Sequence, residues 1–241
     1  MGTKLRLIGS LGKAVLAGCL QKISYFNGDL STNLIVEAAL KVNKKLASAQ
    51  LDTAEEVPLD IYDIIDLRML SGLIGEMFIA ELSSISQGKL LKNPDIDGYP
   101  DLCDISNIKD NDIKNYPFNY FKAYPHGGIE VKNTFGVKKP KTDLKPRDSR
   151  LGKIQKKLVW KAHHQYTNNL LALHSDYISN IPQVIGIYYA NNLTISDWTI
   201  TQKPKEGSTM TSFCQTETSG FIKIKQGLIC FKEGIGYEHF I

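Results

Sequence analysis

Apolar residues recur in the first third of the chain at helical spacing. Residues 32–50 (TNLIVEAALKVNKKLASAQ) place Leu34, Ala38, Val42 and Leu46 four apart. That interval sets them on one face and predicts an amphipathic helix. Residues 59–87 repeat the pattern with Leu67, Leu70, Ile74, Phe78 and Leu82, with Asp60 or Asp63 as a start cap and Gly88 as the stop. Residues 93–101 (NPDIDGYPD) are dense in turn formers and predict a loop, and residues 102–108 predict a short strand. Residues 109–127, with Pro117, Pro125 and Gly127, read as loop.

From residue 128 the period changes to two. In GIEVKNTF (128–135), Ile129, Val131 and Phe135 fall on one side and Glu130 and Lys132 on the other, the signature of a strand. Residues 136–149 read as a basic surface loop and residues 150–165 as a basic helix. Residues 169–178 and 183–190 read as strands. Residues 210–216 and 221–231 read as a β-hairpin turning at Ser219-Gly220. Helices followed by a mixed sheet with an internal helix imply an α/β fold in a single domain, 1–241. Its parts are a mainly helical stretch (1–90), a core (91–190) and a C-terminal hairpin region (191–241).

Composition narrows the class. The chain has 241 residues, 42% hydrophobic and 22% charged, which excludes global disorder. No apolar run reaches the roughly 18 residues that a transmembrane helix needs. The stretch Leu11 to Leu20 is broken by Lys13 and reads as a folded element, not a signal peptide. Cys19, Cys103, Cys214 and Cys230 form neither a C-x-x-C pair nor a disulfide framework. A cytoplasmic protein is expected.

The net charge of +4 conceals strong polarity. Residues 52–112 hold 14 Asp and Glu against 4 Lys and Arg, a net of −10. Residues 132–161 hold 11 Lys and Arg against 2 Asp and Glu, a net of +9. One reading is two solvated faces that partly neutralise each other. The other is a carboxylate metal site beside a surface for a polyanion.

The second reading has candidate residues. Tyr99-Pro100-Asp101-Leu102 precedes Gly128-Ile129-Glu130-Val131-Lys132 by one hairpin's length. Period-2 geometry sets Glu130 and Lys132 side by side. On a plain strand they would be a surface ion pair. The core-forming Ile129 and Val131 instead argue for a central strand, and Gly127 and Gly128 leave room for a bulky ligand. Two carboxylates at strand ends form a hard-oxygen site suited to Mg²⁺, which retains waters and bridges to phosphate. A lysine beside them can orient or deprotonate water and stabilise developing charge.

Pro100-Asp101 with Glu130-Val131-Lys132 resembles the PD-(D/E)xK motif of the nucleases to which type II restriction endonucleases belong. The resemblance implies a restriction-endonuclease-like mixed central sheet flanked by helices. It implies Mg²⁺-dependent hydrolysis of double-stranded DNA at a short recognition sequence, in a prokaryotic restriction-modification system. It further implies Asp101 and Glu130 as metal ligands, the Val131 carbonyl as a further ligand, and Lys132 assisting the attacking water. A glutamate on the preceding helix would be Glu76, with Glu81 as competitor. Asp95 and Asp97 compete with Asp101, which is favoured because it enters the strand directly through Leu102. A homodimer is expected, since a palindromic site presents two strands to two active sites. A partner methyltransferase is implied genetically.

The basic stretch supplies Lys138, Lys139, Lys141, Lys145, Arg147, Arg150, Lys153, Lys156, Lys157 and Lys161. Phosphate contact is one use for them and a solvated loop the other. Trp160, His163 and His164 end this stretch and either touch DNA backbone or pack. His163, His164, Asn169 and His174 superficially resemble the HNH nucleases, but that motif requires a hairpin followed by a helix. Near the C-terminus, Thr211 and Lys223 are candidates for DNA recognition, with strand propensity as the plain account of the threonines. The alternatives to restriction are a repair or structure-specific nuclease of the same motif, and a non-catalytic DNA-binding protein.

Overall fold

The computed structural model describes residues 6–7, 15–17, 21–25, 27–56, 61–108, 110–113, 115–135, 159–202, 206 and 212–232. The N-terminal elements are β1 (Arg6–Leu7), β2 (Val15–Ala17), β3 (Lys22–Tyr25), β4 (Gly28–Ser31), α1 (Thr32–Glu56), α2 (Ile61–Ile64) and α3 (Leu67–Ile85). Next come β5 (Leu90–Lys92), β6 (Leu102–Asp104), α4 (Asp110–Ile113) and β7 (Gly128–Phe135). The last group is β8 (Val159–Lys161), β9 (Leu170–Ile178), β10 (Ile181–Ala190), β11 (Trp198–Gln202), β12 (Phe213–Thr216), α5 (Thr218–Gln226) and β13 (Leu228–Lys232). The fold is mixed α/β.

The main sheet runs β1-β2-β13-β10-β9-β7-β6-β5. Within it β7 and β9 pair in parallel, and the other neighbours pair antiparallel. A second sheet, β11-β12-β8, and the hairpin β3-β4 complete the strands. Helices α1 and α3 cover one face. Their buried Ile35, Val42, Leu46, Leu70, Ile74, Phe78 and Leu82 meet Ile129, Val131, Leu171, Leu173 and Ile187 from the sheet. On the other face Leu170, Ala172 and Ala190 join Trp198, Cys214 and Ile224. Strand β9 is thus buried on both sides, which accounts for its nearly unbroken apolar run.

Two asparagines lock helices to sheet. Asn43 of α1 donates through Nδ2 to the Val184 carbonyl (2.9 Å), and its Oδ1 accepts from the Val184 N–H (2.7 Å). Asn133 of β7 donates to the Ser71 carbonyl on α3 (3.2 Å) and accepts from the Ser175 hydroxyl on β9 (2.7 Å).

Several sequence expectations change. The helix over 59–87 is two pieces, and the cap of α3 is Asp66, whose carboxylate accepts from the Arg68 and Met69 N–H groups. Asp63 lies inside α2. The stretch 1–90 also carries four strands ahead of its helices. Loop 109–127 contains α4 and a 3-10 turn, Phe118–Lys122. Of the basic helix expected over 150–165, residues 159–161 are strand and Ala162–Tyr166 a 3-10 turn. Residues 150–158, and all of loop 136–149, lie outside the described residues.

The C-terminal hairpin does not form. Residues 218–226 are helix, and the flanking strands belong to different sheets. Ser219-Gly220 reads as a turn in sequence, but here it is a contact point. Ser219 donates to the buried Asp197 carboxylate (2.7 Å), and a Cβ on Gly220 would come within 2.7 Å of the Asp197 carbonyl oxygen. With Gly220 and Ile224 buried one turn apart, the segment packs as a helix.

Cys103, Cys214 and Cys230 are buried free thiols. Among the described residues no helix is long and apolar enough to cross a membrane.

Candidate functional site

The candidate residues converge because of strand register. Strand β6 pairs with β7 through Leu102↔Ile129 and Cys103↔Gly128, so Asp101, one residue before β6, comes up against Glu130. Only glycine fits at 128. Its φ is +153°, and a Cβ there would stand 1.9 Å from the Leu102 carbonyl oxygen. Parallel pairing with β9 then sets the face. Glu130 lies beside Leu170 and Lys132 beside Ala172, both part of the cluster that faces the small sheet. Val131 and Ile129 turn the other way, toward α1 and α3. The alternation expected from sequence is present, but both faces are covered, so Glu130 is only 3% exposed.

Asp101 and Glu130 are tied together through backbone. The Asp101 N–H donates to Glu130 Oε2 (3.2 Å), and the Val131 N–H donates to Asp101 Oδ2 (2.8 Å). In an extended strand a residue's N–H and C=O share an edge, so the Val131 carbonyl lies on the same edge as Asp101. The other edge is taken at the preceding residue, where the Glu130 N–H donates to the Asn169 carbonyl (3.0 Å).

Burial pushes the Glu130 carboxyl up to about 8. Burial, and then the charge of Glu130, hold Asp101 well above the usual carboxylate range. Lys132 is lowered by burial and by Lys161, while Asp101 and Glu130 pull it back up. Two carboxylates that resist ionisation at such close range are short of positive charge. A divalent cation would supply it. Among the described residues no group of three or more His, Cys, Asp or Glu is arranged to hold a metal ion. The available set is therefore two carboxylates and a backbone carbonyl, all hard oxygens. That fits Mg²⁺, which uses one or two carboxylates and retains waters.

The competing aspartates stand apart from this pair. The Asp95 carboxylate closes a local turn by accepting from the Asp97 N–H (3.0 Å), and Asp97 is exposed. Glu76 projects from α3 near enough to raise Asp101, and it pairs with Lys92 (2.6 Å). Glu81 instead pairs with Lys45 of α1.

Of the basic candidates, Lys161 is exposed at the end of β8, and its charge reaches both Lys132 and His164. Lys223 donates to the Asn192 carbonyl (2.9 Å) and pairs with Asp197 (2.6 Å), so its ammonium is engaged in holding α5. Lys138, Lys139, Lys141, Lys145, Arg147, Arg150, Lys153, Lys156, Lys157 and Thr211, and the side chains of Trp160 and His163, lie outside the described residues.

His164 carries the contact that sequence reasoning missed. Its Nδ1 stands 2.9 Å from Glu130 Oε1, with the two side chains 12% and 4% exposed. Burial, with Lys132 and Lys161 nearby, lowers its imidazole to about 3. Tyr99 also joins the site, its phenol raised by burial and by the Glu130 charge. Among the described residues the hairpin-then-helix order of an HNH motif does not occur around these histidines, since His164 sits in a turn that leads into β9, and His174 is buried within that strand. No family model, curated protein or solved structure matches this chain.

Proposed function

We propose that this chain is a Mg²⁺-dependent endonuclease that hydrolyses phosphodiester bonds of double-stranded DNA at a short recognition sequence, a type II restriction enzyme. The observation that carries the reading is the meeting of Asp101 and Glu130 across β6 and β7 with Lys132 beside them.

Asp101, Glu130 and the Val131 carbonyl would hold the metal. When bound, it supplies Lewis acidity to the scissile phosphate. Lys132 lies on the Glu130 side of the strand, where its amine can orient the attacking water and take up its proton. Burial favours this role in direction, because it lowers the lysine and so makes the neutral amine easier to reach. Taking the water's proton turns the amine into an ammonium, which the ionised carboxylates favour and which balances the negative charge that builds on phosphate. The covered faces of β7 keep bulk water from the pair, which strengthens each of these interactions.

Binding and cleavage can be separated. In Ca²⁺ the protein is expected to retain duplex DNA without cutting it, and addition of Mg²⁺ then yields fragments whose ends share one short sequence and carry 5′-phosphates. Fragments with scattered ends, or cutting confined to branched or nicked DNA, would assign the site to a structure-specific nuclease. Retention of DNA with no cutting in Mg²⁺ would make the protein a binding module.

A further inference from the structure

We propose that His164 is the positioning residue for Glu130, fixing its carboxylate in the orientation that receives the metal. The inference rests on reading Asp101 and Glu130 as the metal-holding pair. A glutamate side chain has three rotatable bonds, so a single anchor leaves its carboxylate free to swing. Here each oxygen has its own neighbour. Oε2 accepts from the Asp101 N–H at 3.2 Å, and Oε1 stands 2.9 Å from His164 Nδ1. The first comes from the residue before β6 and the second from the turn before β9. The carboxylate therefore has a polar neighbour from each side of β7, hydrogen-bonded to the Asp101 N–H and in close contact with the imidazole.

His164 is itself held in place. The Thr167 N–H donates to the His164 carbonyl (2.9 Å), closing the 3-10 turn. Two residues after Thr167 the Asn169 carbonyl accepts from the Glu130 N–H (3.0 Å), pinning the end of the same segment to the same residue of β7. At its other end the segment follows β8, which is paired to β12 through Phe213↔Lys161. Residues 161–169 thus form a short strap across Glu130, touching it once by side chain and once by backbone. The imidazole acts through Glu130, as partners of metal-ligating carboxylates do, and such partners are worth about 10- to 100-fold in metal affinity or activity.

The test uses Mn²⁺ alone as the probe, titrated by electron paramagnetic resonance into the DNA-free protein, alongside single-turnover cleavage. His164→Ala is expected to weaken Mn²⁺ binding about 10- to 100-fold and to raise the metal concentration for half-maximal cleavage in step. His164→Asn, whose amide nitrogen can take the place of Nδ1, is expected to recover most of the loss. Wild-type Mn²⁺ binding by His164→Ala would overturn the proposal, as would equal losses in the Ala and Asn variants. The underlying reading fails in a different way. If Asp101→Asn and Glu130→Gln bind Mn²⁺ as tightly as the wild type, no metal is held there at all, and His164 has no ligand to position.

Discussion

Glu130 is the residue at which most of the site's forces meet. Its carboxyl titrates near 8 because burial penalises the charged form. A folded-state pKa above the unfolded value near 4.5 gives stability that is present below that value and lost as pH rises toward 8. The metal-free protein is therefore expected to lose melting temperature between about pH 5 and pH 8, and Glu130→Gln to flatten that slope. Differential scanning calorimetry in chelator reads both. An unchanged slope in Glu130→Gln would place the titration elsewhere. That Asp101 meets Glu130, with Lys132 two residues further along β7, was legible in sequence because a two-residue period and turn chemistry are local signals. His164 was not, since its partner lies 34 positions away and only the pairing of β7 with β9 brings them together.

At the scale of elements, two polar anchors hold what the apolar patterns leave loose. Asp197 ties the turn before β11 to α5, accepting from Thr194, Ser219 and Lys223. Burial would raise its carboxyl, but these partners win and hold it at about 2. A depressed pKa gives stability that is present above the unfolded value and lost as pH falls from about 4 toward 2. Asp197→Asn is expected to cost about 2 kcal/mol at neutral pH, by weakening the charge-assisted bonds from Lys223 and Ser219, and to remove part of the acid unfolding in that window. Urea titrations at pH 7 and pH 3 measure the two effects. Asn43→Ala deletes both bonds to the Val184 backbone and is expected to cost about 2 kcal/mol in the same assay. The helices α1 and α3 were readable from spacing alone. The helix α5 was not, because Thr218, Ser219 and Gly220 favour turns, and it is the packing of Ser219 and Gly220 against Asp197 that settles the segment as helix.

Across the whole molecule, the polarity seen in sequence maps onto the site in part. The acidic stretch supplies Asp101 and Glu76, and the described end of the basic stretch, Lys161, lies within electrostatic reach of Lys132. The order of the main sheet was not legible, because β13 and β2 join it from opposite ends of the chain and long-range pairing leaves no local mark. A recognition sequence with two-fold symmetry asks for two copies of the site. Sedimentation equilibrium is expected to return twice the chain mass of 26.9 kDa, and a monomer that stays monomeric on its DNA would remove that element.

The central claim is that Asp101, Glu130 and Lys132 form one hydrolytic site, and the direct measurement is single-turnover cleavage of plasmid DNA in Mg²⁺ by the wild type and by Lys132→Ala. The account predicts discrete fragments from the wild type and a rate about 10²- to 10⁴-fold lower for the variant, at an unchanged melting temperature. Equal cleavage by the two proteins, or none by the wild type, would contradict it.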